Sequence, residues 1–288
     1  MKNKKKSHFI LFLSVLDTGL LLLLLLSFLP FMNKKKIRAE RTALLNPRNR
    51  GLVYQIVISN EEDTVILTHA GDTTWTGSSS AGDKSFVWPC HNQKVHNLLD
   101  ESSEIIPAYK KSSSIKDWKS FSIDDVSSIK LAFYSSDGQL LSKLYFGKED
   151  SLTHRLSVRS DSNNNVYEIE SDISSFLTTD ESFWADPYIF PDCITEKNKK
   201  TSDLALLRGR IENVTFQEGV SADYTVKKSF ENGAEIVFFV YECDANSFIV
   251  PHLIPGPAFS KLEINALQKI NYRYSVSRWT YERLLQSL

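Results

Sequence analysis

The chain has little cysteine: three residues in 288, at Cys90, Cys193 and Cys243. They are odd in number and far apart, which excludes a disulfide framework and the paired spacing of a structural zinc site. An excess of charge of either sign is also missing, the formal net charge being −1. That removes the basic footprint of a nucleic-acid binder, so no nucleic-acid partner is expected. After Met32 no second apolar stretch approaches the length of a bilayer span. Neither the Gly-x-Ser-x-Gly elbow of serine hydrolases nor the His-Glu-x-x-His of zinc proteases occurs. Gly147-Lys148 has the ending of a phosphate loop, but Ser142 stands where the first glycine belongs.

One long apolar run is present, from Phe9 to Met32, with unbroken leucine from Leu20 to Leu26 and lysine clusters at both ends. Hydrocarbon about 30 Å thick needs roughly 20 apolar residues in a helix, so the run is expected to be a transmembrane anchor. A cleaved signal peptide has a shorter core and a small-x-small site, whereas Pro30, Phe31, Met32, Asn33 and Lys34 follow here. Asp17 falls inside the run, where a carboxylate is costly and therefore a candidate contact with a partner helix. Ser14, Thr18 and Gly19 share its polar patch. The plainer alternative is a protonated or snorkelling side chain tolerated by a leucine-rich helix. Asp17-Thr18-Gly19 also spells the aspartic-protease triplet, but that chemistry needs two carboxylates in water.

The chain divides into a basic N-terminus at 1–8, an anchor at 9–32 and a basic juxtamembrane linker at 33–50. An α+β domain at 51–194, a polar linker at 195–203 and a second α+β module at 204–288 complete it. The expected fold is α+β: a transmembrane helix followed by antiparallel-sheet modules with few helices. Val53 to Ser59 and Thr64 to Thr68, joined by Asn60 to Asp63, predict a hairpin. A turn at Gly71-Asp72 leads to a short strand ending at Trp75. Pro89 then opens a helical pattern with Val95, Leu98 and Leu99 on one face. Asp137-Gly138 turns between Ile129 to Phe133 and Leu140 to Phe146. Leu156 and Val158 alternate with Arg155, Ser157 and Arg159, followed by Tyr167 and Ile169, which predicts a meander with one polar face. Beyond the linker, Ile211 to Gln217, Tyr224 to Ser229 and Ile236 to Tyr241 read as strands, with a turn at Asn232-Gly233. Residues 279–288 read as a closing amphipathic helix. The repeated order of strands and late helix raises an internal duplication.

The succession of an N-terminal span, a strand pair leading to Trp75, a helix over 89–100, and strands closing on Phe146-Gly147 resembles one bacterial family. Asn165-Val166-Tyr167-Glu168-Ile169, the short helix around Phe176-Leu177, and Phe183-Trp184 continue the likeness, which covers Val53 to Phe190. The family is a domain-of-unknown-function family of single-span membrane proteins often encoded beside ABC-2-type, gliding-motility-associated transport proteins. The resemblance implies a body on the extracytoplasmic side of the bacterial inner membrane, with ABC-type transport subunits as the membrane-protein partner. Counting Lys and Arg beside the span favours a cytoplasmic body instead. The expectation follows the resemblance, because a long domain translocates despite flanking charge.

The remaining candidates for chemistry carry bland alternatives. Asp161, Asn163, Asn165 and Asp172 imitate calcium-loop spacing, but Val166 occupies the glycine position, so a polar hairpin turn is expected. Cys90, His91 and His96 have zinc-ligand chemistry, yet the two histidines are five apart and no fourth ligand accompanies them. Trp75 and Trp184 are expected in the core. Asn213-Val214-Thr215 fits a glycan acceptor, which matters only in a glycosylating route. No catalytic, cofactor or metal residue is assigned. The expected function is a non-enzymatic accessory subunit that offers sheet edges or the closing helix to its partner. The alternatives are an envelope-facing ligand-binding or adhesion module, and a membrane-tethered hydrolase using carboxylates such as Asp124 and Asp125.

Overall fold

The computed structural model describes residues 16–21, 39–71, 74–81, 84–190, 207–212, 221–230, 233–242, 247–257 and 259–286. Of the expected anchor at 9–32, only residues 16–21 are among these; they are helical and exposed, Asp17 included. The rest of the anchor, the linker at 195–203, Cys193, Cys243 and the Asn213 triplet lie outside the described residues. Among the described residues no helix is long and apolar enough to cross a membrane.

Residues Arg41–Leu288 form one compact unit. It is rich in antiparallel sheet and poor in helix, the coarse architecture expected. The strands are β1 (Glu40–Thr42), β2 (Val53–Ser59), β3 (Thr64–His69), β4 (Trp75–Ala81), β5 (Lys84–Pro89), β6 (Ile106–Ser112), β7 (Ile129–Ser135), β8 (Leu140–Glu149), β9 (Leu156–Ser160) and β10 (Val166–Ile169). They form one sheet in the order β1-β6-β10-β9-β8-β7-β2-β3-β4-β5. A second sheet holds β11 (Arg210–Glu212), β12 (Tyr224–Ser229), β13 (Glu235–Glu242), β14 (Ser247–Ile254) and β15 (Arg273–Val276), in the order β11-β15-β14-β13-β12. The helices are α1 (Asn92–Ser103), α2 (Glu181–Trp184), α3 (Lys261–Leu267) and α4 (Arg278–Gln286).

Local chemistry explains the hairpins. Asn60 Oδ1 accepts the backbone N–H groups of Glu62 and Asp63 at 2.8 and 2.6 Å, an Asx turn that sets Ser59 opposite Thr64. Gly138 takes a φ of 82°, which the turn from β7 into β8 requires and glycine adopts without steric cost. In α1, Val95, Leu98 and Leu99 are buried together, as their spacing predicts.

Three expectations are corrected. Trp75 begins a strand instead of ending one: β4 runs on to Ala81, with Leu67 opposite Gly77 on β3 and Trp88 opposite it on β5. Pro89 closes β5 instead of opening a helix. Strand β5 is an edge of its sheet, where a residue without an N–H is tolerated, and α1 starts only after His91. The polar face of the meander is not solvated either. Tyr145, Ser157 and Arg159 are buried because residues 113–128 lie across that face as a strap.

The two sheets meet at a hydrogen-bonded seam. Asn271 satisfies the open edge of β5: Val87 N–H donates to its Oδ1 at 2.7 Å, and its own N–H donates to Val87 O at 3.0 Å. The fully buried Tyr274 on β15 reaches the carbonyl oxygens of Asp186 and Tyr188 at 2.8 and 2.7 Å. Gly209 N–H donates to Pro187 O at 2.9 Å, completing the crossing. Phenylalanine at Tyr274 keeps the ring and leaves those carbonyls without the hydroxyl. The expected cost is about 1–3 kcal/mol, read as a lower urea midpoint at unchanged slope.

Candidate functional site

One cleft of the described residues opens where three long-range elements approach the β2–β3 turn. It encloses about 510 Å³ and is lined by Glu62 and Asp63 from that turn, Asp180 and Glu181 at α2, Ser79 of β4 and Arg210 of β11. Its geometry is set by bonds outside the sheet ladders. Asn60 Nδ2 donates to Thr179 Oγ1 at 3.2 Å, pulling residues 178–182 against the turn. Asp180 caps α2, accepting the Ser182 N–H at 2.9 Å and the Ser182 hydroxyl at 2.7 Å. Glu181 accepts the Ser79 hydroxyl, tying α2 to β4. Four carboxylates facing one guanidinium give a site suited to cationic or amine-bearing groups.

A second cleft of about 540 Å³ runs between α1 and residues 172–176, with Asp100, Glu101, Glu104, Asp172 and Phe176 in its walls. Here too two of the carboxylates are engaged. Asp100 pairs with Arg50 at 2.5 Å, and Glu101 accepts the Ser171 hydroxyl and the Asp172 N–H at 2.8 and 3.0 Å. Among the described residues, no three or more His, Cys, Asp or Glu side chains are grouped so as to hold a metal ion.

Each sequence candidate among the described residues has a definite place. Cys90 is buried at the end of β5; burial, and then the nearby Asp186, pushes its thiol well above the ordinary range. It is therefore protonated near neutral pH and a poor nucleophile. His91 is the N-cap residue of α1, and its N–H donates to Trp184 O at 2.8 Å. His96 lies on α1 itself. Asp161, Asn163 and Asn165 form the β9–β10 turn: Asn165 N–H donates to Asn163 Oδ1 at 2.9 Å, and Asp161 accepts the Tyr145 hydroxyl at 2.9 Å. Gly147-Lys148 lies inside β8. Trp75 and Trp184 are core residues, as expected.

Asp124 and Asp125 belong to the strap. Asp124 Oδ1 accepts the N–H groups of Ser127 and Val126, and that bonding, Ser127 foremost, holds its carboxyl below the usual range. Asp125 pairs with Arg159 at 2.9 Å. The Arg159 side chain is 4 % exposed, and its guanidinium lies between two rings, 3.8 Å from Trp118 and 3.4 Å from Tyr145. Its Nε donates to Ile123 O at 2.7 Å. The alternation of Arg159 with apolar residues marks the face it points from, but nothing in the sequence marks Trp118 as its cover.

No family model matches the chain, and neither do curated proteins or solved structures.

Proposed function

We propose that the chain is a membrane-anchored, non-enzymatic accessory protein of the bacterial inner membrane, associated with an ABC-type transport or envelope complex. The observation that carries this reading is the state of the body's reactive groups. Cys90 is buried and protonated, Asp124 and Asp180 accept N–H groups of their own turns, Asp125 pairs with Arg159, and Glu181 and Glu101 fasten neighbouring segments. These groups serve the architecture of the body. The apolar run at 9–32 with its lysine flanks supplies the anchor, and the family resemblance supplies the transport association and the extracytoplasmic body. An envelope-facing binding module is the second reading, favoured by the acidic cleft at Glu62, Asp63, Asp180 and Glu181.

Copurification of the full-length chain in mild detergent, with protease accessibility in intact spheroplasts, tests the proposal. ABC-type membrane subunits are expected to copurify with a body that external protease cleaves. A body that is protected, or that purifies alone, overturns the reading. Alanine at Asp17 is expected to weaken the association; full association in that variant removes the span from the contact.

A further inference from the structure

We propose that the outward face of α4, centred on Trp279 and flanked by Arg278 and Arg283, rests on the anionic headgroup surface of the bilayer. The inference rests on the membrane-anchored reading above. Trp75, Trp88 and Trp184 are at most 2 % exposed, whereas Trp279 is 59 % exposed. The helix is fixed in rotation because Thr280, Tyr281 and Leu284 are buried. Trp279 and Arg283, four residues apart, therefore share the outer side, with the Arg283 guanidinium 5.3 Å from the indole centroid. Arg278 is 90 % exposed at the same end and pairs with Glu282 at 3.0 Å, so Arg283 is the cation in excess on this face. An indole has an apolar body and a polar N–H, the combination that settles at headgroup depth, and each nearby cation adds attraction to anionic lipid.

Tether length sharpens the choice of partner. Eight residues separate Met32 from Arg41. Fully extended they reach at most about 29 Å. A body of this size has a radius of gyration of about 18 Å, so a tether of that length leaves the lipid within reach of its surface. The two clefts are poor choices for that surface. Glu62, Asp63, Asp180 and Glu181 line one, and Asp100, Glu101, Glu104 and Asp172 line the other, so anionic headgroups repel both. The α4 face offers the aromatic beside Arg283, with the single carboxylate of Glu282 already paired to Arg278.

The test uses the full-length chain in nanodiscs of phosphatidylcholine and phosphatidylglycerol whose acyl chains are brominated just below the headgroups. Tryptophan emission is compared between wild type and Trp279→Phe, a change at an exposed ring that leaves the thermal midpoint unaltered. Wild type is expected to show a quenched component that Trp279→Phe lacks. The Arg278→Glu/Arg283→Glu variant, or discs of phosphatidylcholine alone, are expected to reduce that component. Equal quenching in wild type and Trp279→Phe, with the chain in the disc, overturns the α4 contact and leaves the anchor standing. A chain that stays out of the discs overturns the anchor and the contact with it.

Discussion

Arg159→Ala is expected to lower the stability of the body by about 2–4 kcal/mol, among the larger effects of any single substitution in the chain. The guanidinium fills the space between Trp118 and Tyr145 and donates to the Ile123 carbonyl at 2.7 Å, almost out of reach of water. Truncation removes two cation–π contacts, each worth about 0.5–2 kcal/mol, and leaves a buried carbonyl without its charged donor. It also opens a gap between two rings that are held by other bonds, Trp118 Nε1 to Asn164 O and the Tyr145 hydroxyl to Asp161. Urea denaturation should report the loss as a lower midpoint. Proteolysis near residues 113–128 should become faster under conditions where the sheet remains folded.

The ion pair to Asp125 is the lesser part of that arrangement. Asp125 is 73 % exposed, so its attraction to Arg159 is screened by solvent, and Asp125→Asn is expected to cost no more than about 1 kcal/mol. A large loss for the arginine and a small one for its carboxylate would assign the stabilisation to stacking and to the Ile123 bond. Equal losses would return it to the salt bridge. Sodium chloride sharpens the comparison, because screening weakens an exposed pair and leaves a buried stack nearly untouched.

What the sequence declares about this fold is what neighbouring residues decide among themselves. Asn60 to Asp63 and Asp137-Gly138 are turns because a side-chain acceptor and a left-handed glycine act within four residues. Val95, Leu98 and Leu99 lie on one face because a helix repeats every 3.6 residues. Strand β4 escapes such reasoning: Trp-Thr-Gly-Ser-Ser-Ser-Ala has little apolar alternation, and the strand exists because β3 and β5 flank it. Pro89 misleads for a related reason. A proline before a helical pattern usually sits in the first turn, but here Asp186 N–H donates to its carbonyl and the chain stays extended through Cys90, opposite Ala185. The acidic cleft is half legible. Glu62 and Asp63 are visibly turn residues, while Asp180, Glu181 and Arg210 come from more than a hundred positions away. The strap is the least legible part, since a polar strand face gives no sign of whether water or another segment covers it.

Gly147→Ala is expected to cost about 2–3 kcal/mol, and it reads the strap from the opposite side. Glycine is needed there for space, not for backbone angle. A methyl group would overlap the Phe121 carbonyl oxygen and come within 2.8 Å of Ile123 Cγ2. The obstacle is backbone, which cannot swing aside as a flexible side chain does, so either the strap lifts or β8 deforms. The register between β8 and β9 already shifts between Phe146 and Glu149, and Lys148 N–H donates to Phe121 O at 3.3 Å. The methyl therefore acts at the middle of the strap, between the Trp118 and Ile123 contacts of Arg159. Arg159 and Gly147 thus hold the same segment, one by attraction and one by leaving room. If lifting the strap is a single event, the losses for Gly147→Ala and Arg159→Ala overlap, and the double variant is expected to lose at least 1 kcal/mol less than their sum. Strict additivity would show instead that Phe121 and Ile123 yield locally, each without releasing Trp118 from the face of the sheet.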